Sequence, residues 1–252
     1  GGRGTGAAFE ALRTSKSVNL VAMGDVFADM LNGSYSKISA QFKDQVDVPE
    51  NRRFVGLDGY VKVIAECDAV ILATPPPFRP AHFEEAINTG KHVFMEKPLA
   101  VDVPGYKKII EVGKNAEANK LSVVVGLQNR YDTSNIAMME KIREGILGDV
   151  VSVDVYYNVG APKIHARKAG QTELEYQLRN WRYFNWLWGG QLAGQAIHQI
   201  DVINWLMREY PTIASGIGGR QSFSGPNQGN TFDHQNVEYV YPNGVKMHVQ
   251  CR

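Results

Sequence analysis

The chain has 252 residues, 44% of them hydrophobic and 21% charged, with a formal net charge of +1. That length supports one large or two modest globular domains, and a near-neutral balance gives no electrostatic case for nucleic acid or an anionic membrane surface. No apolar run approaches the roughly 18 residues that would span a bilayer, and two cysteines, Cys67 and Cys251, neither in a CxxC pair, read as packing residues.

In chain order, "GGRGTGAAF" opens the sequence as a glycine turn running into a helix from about Thr5. It can be framed as Gly2-x-Gly4-x-x-Ala7, or with Gly1 and Gly4 as the second and third glycines of a motif that starts upstream. Bare backbone at a helix N-terminus lets a pyrophosphate approach free N–H groups. A turn of this kind needs a strand before it. The close on "VKMHVQCR" looks like the middle of a sheet, so the expectation is a fragment lacking its first strand and its C-terminal part. A targeting peptide would be lost with that first strand. The compartment is therefore left open between cytoplasm and, with a lost twin-arginine signal, periplasm.

"VNLVAMGD" (18–25) reads as a short strand ending in Asp25, 21 residues after Gly4, followed by a helix over about 27–44. An acid there can bind a ribose 2′-OH and repels a 2′-phosphate, which favours NAD over NADP. "DAVILAT" (68–74) is nearly continuous in apolar residues, as expected of a parallel strand covered on both faces. Prolines 75–77 delay the next helix until about Pro80, and it ends near Gly90. "KHVFMEK" (91–97) is the next strand, then helix 102–119 and strand 121–126. This alternation predicts a doubly wound parallel sheet of the Rossmann type over residues 1–127.

From residue 128 the pattern changes to an α+β domain with a mostly antiparallel sheet, 128–252. It comprises a helix over 135–147, an alternating strand over 150–159 and an irregular stretch over 160–180. An aromatic block, a helix over about 191–208 and antiparallel strands turning at Asn243-Gly244 complete it. All four tryptophans lie between positions 181 and 205. They read as core or interface, with a sugar-stacking wall as the other reading.

Two constellations carry chemistry. Glu96-Lys97-Pro98 falls at the C-terminal edge of a parallel strand, the edge where open α/β sheets bind ligands. Pro98 is expected to hold Lys97 extended, so that its ammonium can polarise a substrate hydroxyl; the other reading is a surface lysine. In "GQAIHQIDVINWL", His198 and Asp201 share a helix face one turn apart, so the carboxylate can orient the imidazole as a general base. The other reading is a packed histidine. The six histidines are scattered without a metal-ligand spacing, so no metal is expected.

Together the glycine turn, "EKPLA" and "HQID" resemble the glucose–fructose oxidoreductase / inositol dehydrogenase / MocA family over essentially the whole chain. "RNWRYFNWL" with "HQIDVINWL" looks like a bacterial subgroup often exported by the twin-arginine route. The resemblance implies a bound NAD(P), a cyclic polyol or sugar-like substrate, and dimers or tetramers built on the open face of the second sheet. Carried over by position, Lys97 and His198 match the catalytic lysine and histidine. Gly2, Gly4 and Asp25 match the dinucleotide fingerprint, and Thr74 and Pro75 a turn lining the cofactor beside Glu96 and Lys97. Arg130 and Tyr183 match substrate contacts. Many members carry an acid one helical turn before the histidine, where this chain has Gly194; either Asp201 or a bound water covers that role, or activity is reduced or altered.

The implied reaction is oxidation of a secondary alcohol with hydride transfer to nicotinamide, which requires the Lys97 ammonium and the His198 imidazole to converge on one cavity. Two alternatives stay open: a glycosidase that uses NAD transiently, and a non-catalytic sugar or dinucleotide sensor on the same fold.

Overall fold

The computed structural model describes residues 1–252 in two compact units, Gly1–Gly126 and Leu127–Arg252. No helix is long and apolar enough to cross a membrane.

The first unit runs α1 (Gly2–Thr14), β1 (Met23–Asp25), α2 (Ala28–Gln41), β2 (Arg53–Val55), α3 (Gly59–Ala65), β3 (Ala69–Leu72), α4 (Arg79–Asn88), β4 (His92–Met95), α5 (Val103–Ala118) and β5 (Val123–Val125). Every strand pair in it is parallel, as the alternation predicts. The strands form two sheets, β1-β2 and β3-β4-β5, because β1 and β3 do not hydrogen-bond to each other. Helix α3 packs on β1, β2 and β3, and α1 packs on β3, so helices tie the sheets together.

Val70 and Leu72 of β3 and Val93 and Met95 of β4 point into one core with Phe83, Ile87, Ile109 and Val112 from α4 and α5. The alternate residues, Ile71 and Phe94, are half-buried, so one face of these strands is covered more deeply than the other. The prolines hold off α4 as expected. Pro76–Phe78 form a 3₁₀ turn that runs directly into α4 at Arg79, with Pro80 in the first turn where no amide partner is lost. Asp102 caps α5 by accepting from the Gly105 N–H at 2.8 Å, a contact typically worth about 1 kcal/mol.

The second unit contains α6 (Thr133–Arg143), β6 (Ser152–Tyr157), α7 (Glu173–Arg179), α8 (Asn185–Trp188), α9 (Ile197–Met207), β7 (Ile213–Gly219), β8 (His234–Val240) and β9 (Lys246–Cys251). Its sheet has the order β6-β9-β8-β7, antiparallel except for the parallel pair β6-β9. Ile200, Ile203 and Met207 of α9 pack over Val155, Met247 and Val249. At the β8–β9 turn Gly244 has φ +86° and the Asn243 side chain accepts from Val245 N–H, as the Asn-Gly pair predicts.

Three elements differ from expectation. The stretch 160–180 is not wholly irregular: Thr172 and Glu175 form a reciprocal capping box that starts α7. Helix α6 stops at Arg143 rather than 147, with Gly145 at φ +92° just beyond it. The helix expected over 191–208 is broken into a π-helical turn, Leu192–Ala196, followed by α9.

Candidate functional site

Helix α1 begins at Gly2, with Gly1 at its N-cap, so Gly2 and Gly4 lie inside its first turn rather than in a loop before Thr5. A Cβ at Gly4 would stand 3.4 Å from the Ala73 methyl. That is ordinary van der Waals contact, so α1 packs closely on the end of β3 at this point, as the third glycine of a dinucleotide turn does. The second framing of the glycines therefore describes the geometry better. Gly2 has open space around it. Asp25 ends β1 and reaches this turn: its Oδ2 lies 2.7 Å from the Gly1 amino nitrogen, and its Oδ1 accepts from the Phe27 N–H. Asp25 and the start of α1 thus lie side by side at one edge of this unit.

The ends of β3 and β4 lie at the same C-terminal edge of this unit. Glu96, only 6% exposed, accepts from Arg3 Nε of α1 at 2.6 Å. Its carboxylate also fills the place where a side chain at Gly126 would begin. Lys97 follows, half-buried, and its peptide bond to Pro98 is cis. The Thr74 hydroxyl lies 3.2 Å from His82 Nδ1, and the His82 ring stacks on Tyr60 and Phe78. Burial, and then the nearby Arg79 charge, push the His82 pKa down to about 4, so it is neutral at physiological pH.

Sequence reading missed Arg3, Arg79 and His82. The available signal was two polar residues in a proline-rich, otherwise apolar segment, and a basic residue among glycines.

In the second unit His198 sits in the first turn of α9, directly after the π-helical turn, and its carbonyl accepts from Asn129 Nδ2 at 3.5 Å. π-helical turns recur at functional sites. Asp201 does not take the imidazole partner expected of it. Arg130 donates to both carboxylate oxygens, from Nε and Nη2, at 2.8 Å each. This bond raises the Arg130 pKa, and the guanidinium lies 5.7 Å from the Trp205 ring centroid. A bidentate pair of this kind fixes geometry, so Arg130 and Asp201 brace the histidine's helix.

Tyr183 is 1% exposed, donates its hydroxyl to the Pro162 carbonyl and meets Phe223 edge-on. That is a packing role in place of the expected substrate contact. At Gly194 a Cβ would collide with the Trp188 indole. The ring fills the space an acidic side chain would need, so Gly194 is the residue that this packing permits.

The first unit, with parallel strands, a glycine-opened helix, an acid ending the next strand and a lysine at the ligand edge, is a Rossmann-type dinucleotide-binding domain. It is joined to an α/β domain with a mixed sheet. The chain belongs to the GFO/IDH/MocA oxidoreductase family: residues 15–127 match its NAD-binding Rossmann fold and residues 136–252 its C-terminal domain.

Among curated proteins the chain is similar to 2,7-anhydro-N-acetylneuraminate hydratase of Escherichia coli, 28% identical over 178 residues, 70% of this chain and 43% of the relative. It is also similar to inositol 2-dehydrogenase/D-chiro-inositol 3-dehydrogenase of Halalkalibacterium halodurans, 28% identical over 200 residues, 78% of this chain and 49% of the relative. Among solved structures, the WlbA dehydrogenase of Bordetella pertussis in complex with NADH and UDP-GlcNAcA aligns with TM-score 0.68 at 21% identity, over 92% of this chain and 63% of that one. This last likeness speaks for the fold. The chain spans about half the length of the curated relatives it matches.

The residues present fit NAD. The Gly1–Gly4 backbone leaves room at the start of α1, and Asp25 stands beside it with an oxygen for a ribose hydroxyl. The same carboxylate would repel the 2′-phosphate of NADP.

Proposed function

We propose that the chain is the NAD-dependent part of an oxidoreductase acting on a secondary alcohol of a sugar, sugar derivative or polyol. The observation that carries the reading is Lys97, placed at the ligand edge of a NAD-binding Rossmann unit next to a Glu96 held by Arg3. The curated relative named for inositol oxidation supports a cyclic polyol as the substrate class.

NAD, when bound, supplies the hydride acceptor. The chain's own groups handle the hydroxyl. The His198 imidazole takes its proton on a ring nitrogen, and the Lys97 ammonium donates a hydrogen bond to the oxygen as negative charge develops on it. General-base assistance of this type is typically worth about 10²–10⁴-fold, and a fixed donor at a developing oxyanion contributes roughly 10²–10³-fold. The Arg130–Asp201 pair holds the histidine's helix.

The test is made on the full-length protein. Nucleotide released on denaturation is identified by mass spectrometry, and a panel of polyols and sugars is assayed by nicotinamide absorbance. Recovery or tight binding of NAD(H), with reduction driven by a polyol or sugar, supports the reading; absence of nucleotide binding overturns it.

A further inference from the structure

Arg79 opens α4 and is 1% exposed. Its Nη2 donates to the Thr74 carbonyl at 2.5 Å, and its Nη1 donates to the Pro98 carbonyl. Thr74 follows β3, and Pro98 follows Lys97 at the end of β4, so one planar group spans the turns after two neighbouring parallel strands. The nearest acid is Glu96, itself engaged by Arg3, and Arg79 Nε is buried without a hydrogen bond.

Such a residue is a poor choice for stability alone. Burying a guanidinium is expensive, an unpaired buried N–H adds to the cost, and apolar side chains of similar size fill such places at less penalty. Burial pulls its pKa down to about 10, with Glu96 opposing, so the group still carries its charge at neutral pH. What the guanidinium offers that an apolar side chain cannot is a rigid fork with two donors aimed at two separate carbonyls.

We propose that Arg79 is a positioning residue: by holding the Thr74 and Pro98 carbonyls on one guanidinium it fixes the cofactor-lining turn and the Lys97 turn relative to each other. The proposal rests on the reading of Lys97 given above. His82, one helical turn on, supports the same turn from below through Thr74 Oγ1. A lysine ammonium is a point donor on a flexible stem and lacks the rigid planar fork that holds two carbonyls in fixed directions.

The experiment uses the full-length protein as wild type, Lys97→Ala, Arg79→Lys and Arg79→Ala, the last with and without added guanidinium. The readouts are kcat, KM for the alcohol, the NAD dissociation constant and the thermal midpoint. A misplacement of about 1 Å can cost roughly 10²-fold, so Arg79→Lys is expected to lose about 10–10²-fold in kcat with a much smaller change in KM. Guanidinium is expected to restore part of the lost kcat of Arg79→Ala.

Wild-type kcat and NAD affinity in folded Arg79→Lys overturn the proposal, as does a lowered thermal midpoint with kcat per folded molecule intact. Should Arg79→Ala fail to fold, Arg79→Lys decides alone. If Lys97→Ala keeps its rate, the lysine reading fails, and the clamp is then judged by NAD affinity in Arg79→Lys: weakened supports it, unchanged overturns it.

Discussion

Arg130 grips Asp201 through both carboxylate oxygens, across 71 residues of sequence. The acid one helical turn beyond His198 is therefore a brace on the start of α9 and not a free partner for proton transfer. Asp201→Asn keeps the shape and loses the charge. It is expected to destabilise the protein by about 1 kcal/mol, since Arg130 is partly exposed and the pair is screened. The thermal midpoint should drop by about 2–4 °C, while kcat falls by less than the roughly 10²-fold expected for losing a general base. Thermal melts and steady-state rates of the same preparation check both halves.

Gly194 is fitted to Trp188. Adding one methyl there forces the indole to move, and overpacking a filled site typically costs about 1–3 kcal/mol. Gly194→Ala should therefore lower the denaturation midpoint. Shrinking the ring in Gly194→Ala/Trp188→Phe should recover part of the loss, which a double-mutant cycle reads as non-additivity. Additive effects would mean that the two residues do not compete for the same space.

His82 makes stability depend on mildly acidic pH. Its ordinary pKa is 6.5, whereas in the folded unit burial and the Arg79 charge hold it at about 4. The unfolded chain takes up this proton as pH falls through 6.5, and the folded chain does so only near 4. The stabilisation is thus complete above pH 6.5 and is lost progressively on the way to 4, by an amount on the order of 2–3 kcal/mol. Denaturant midpoints from pH 7.5 to 4.5 should decline, and His82→Gln should flatten that part of the decline.

The proposed ribose contact of Asp25 makes the choice of dinucleotide testable. Removing a charged acceptor from a ribose hydroxyl typically costs about 1.5–3 kcal/mol, so Asp25→Ser should weaken NAD binding by roughly 10–10²-fold and narrow its margin over NADP. Titration of both cofactors against the full-length variant gives the ratio.

The parts of the fold that local chemistry dictates were legible. The apolar runs around Val70–Leu72 and Val93–Met95 read as parallel core strands, and Asn243-Gly244 read as a hairpin turn; both are present. Contacts made across the chain were not legible. The spacing of His198 and Asp201 on one helix face is real, but Arg130 captures the carboxylate from outside the helix, and periodicity carries no information about it. The π-helical turn was not legible either: the segment reads as one continuous helix, and the fit of Gly194 against the Trp188 indole shows only in the structure. The α7 capping box at Thr172 and Glu175 was written locally and was passed over in a polar stretch. Arg79 and His82 act on the strand ends through contacts that only the structure brings into view.

The roles of Lys97 and His198 are the centre of the account, and one measurement addresses them together. In the full-length protein, single-turnover nicotinamide reduction is followed with saturating NAD and a responsive polyol, in wild type, Lys97→Ala and His198→Ala. The account predicts that each variant still binds NAD and slows by about 10²–10⁴-fold. Turnover at the wild-type rate in either variant would contradict it.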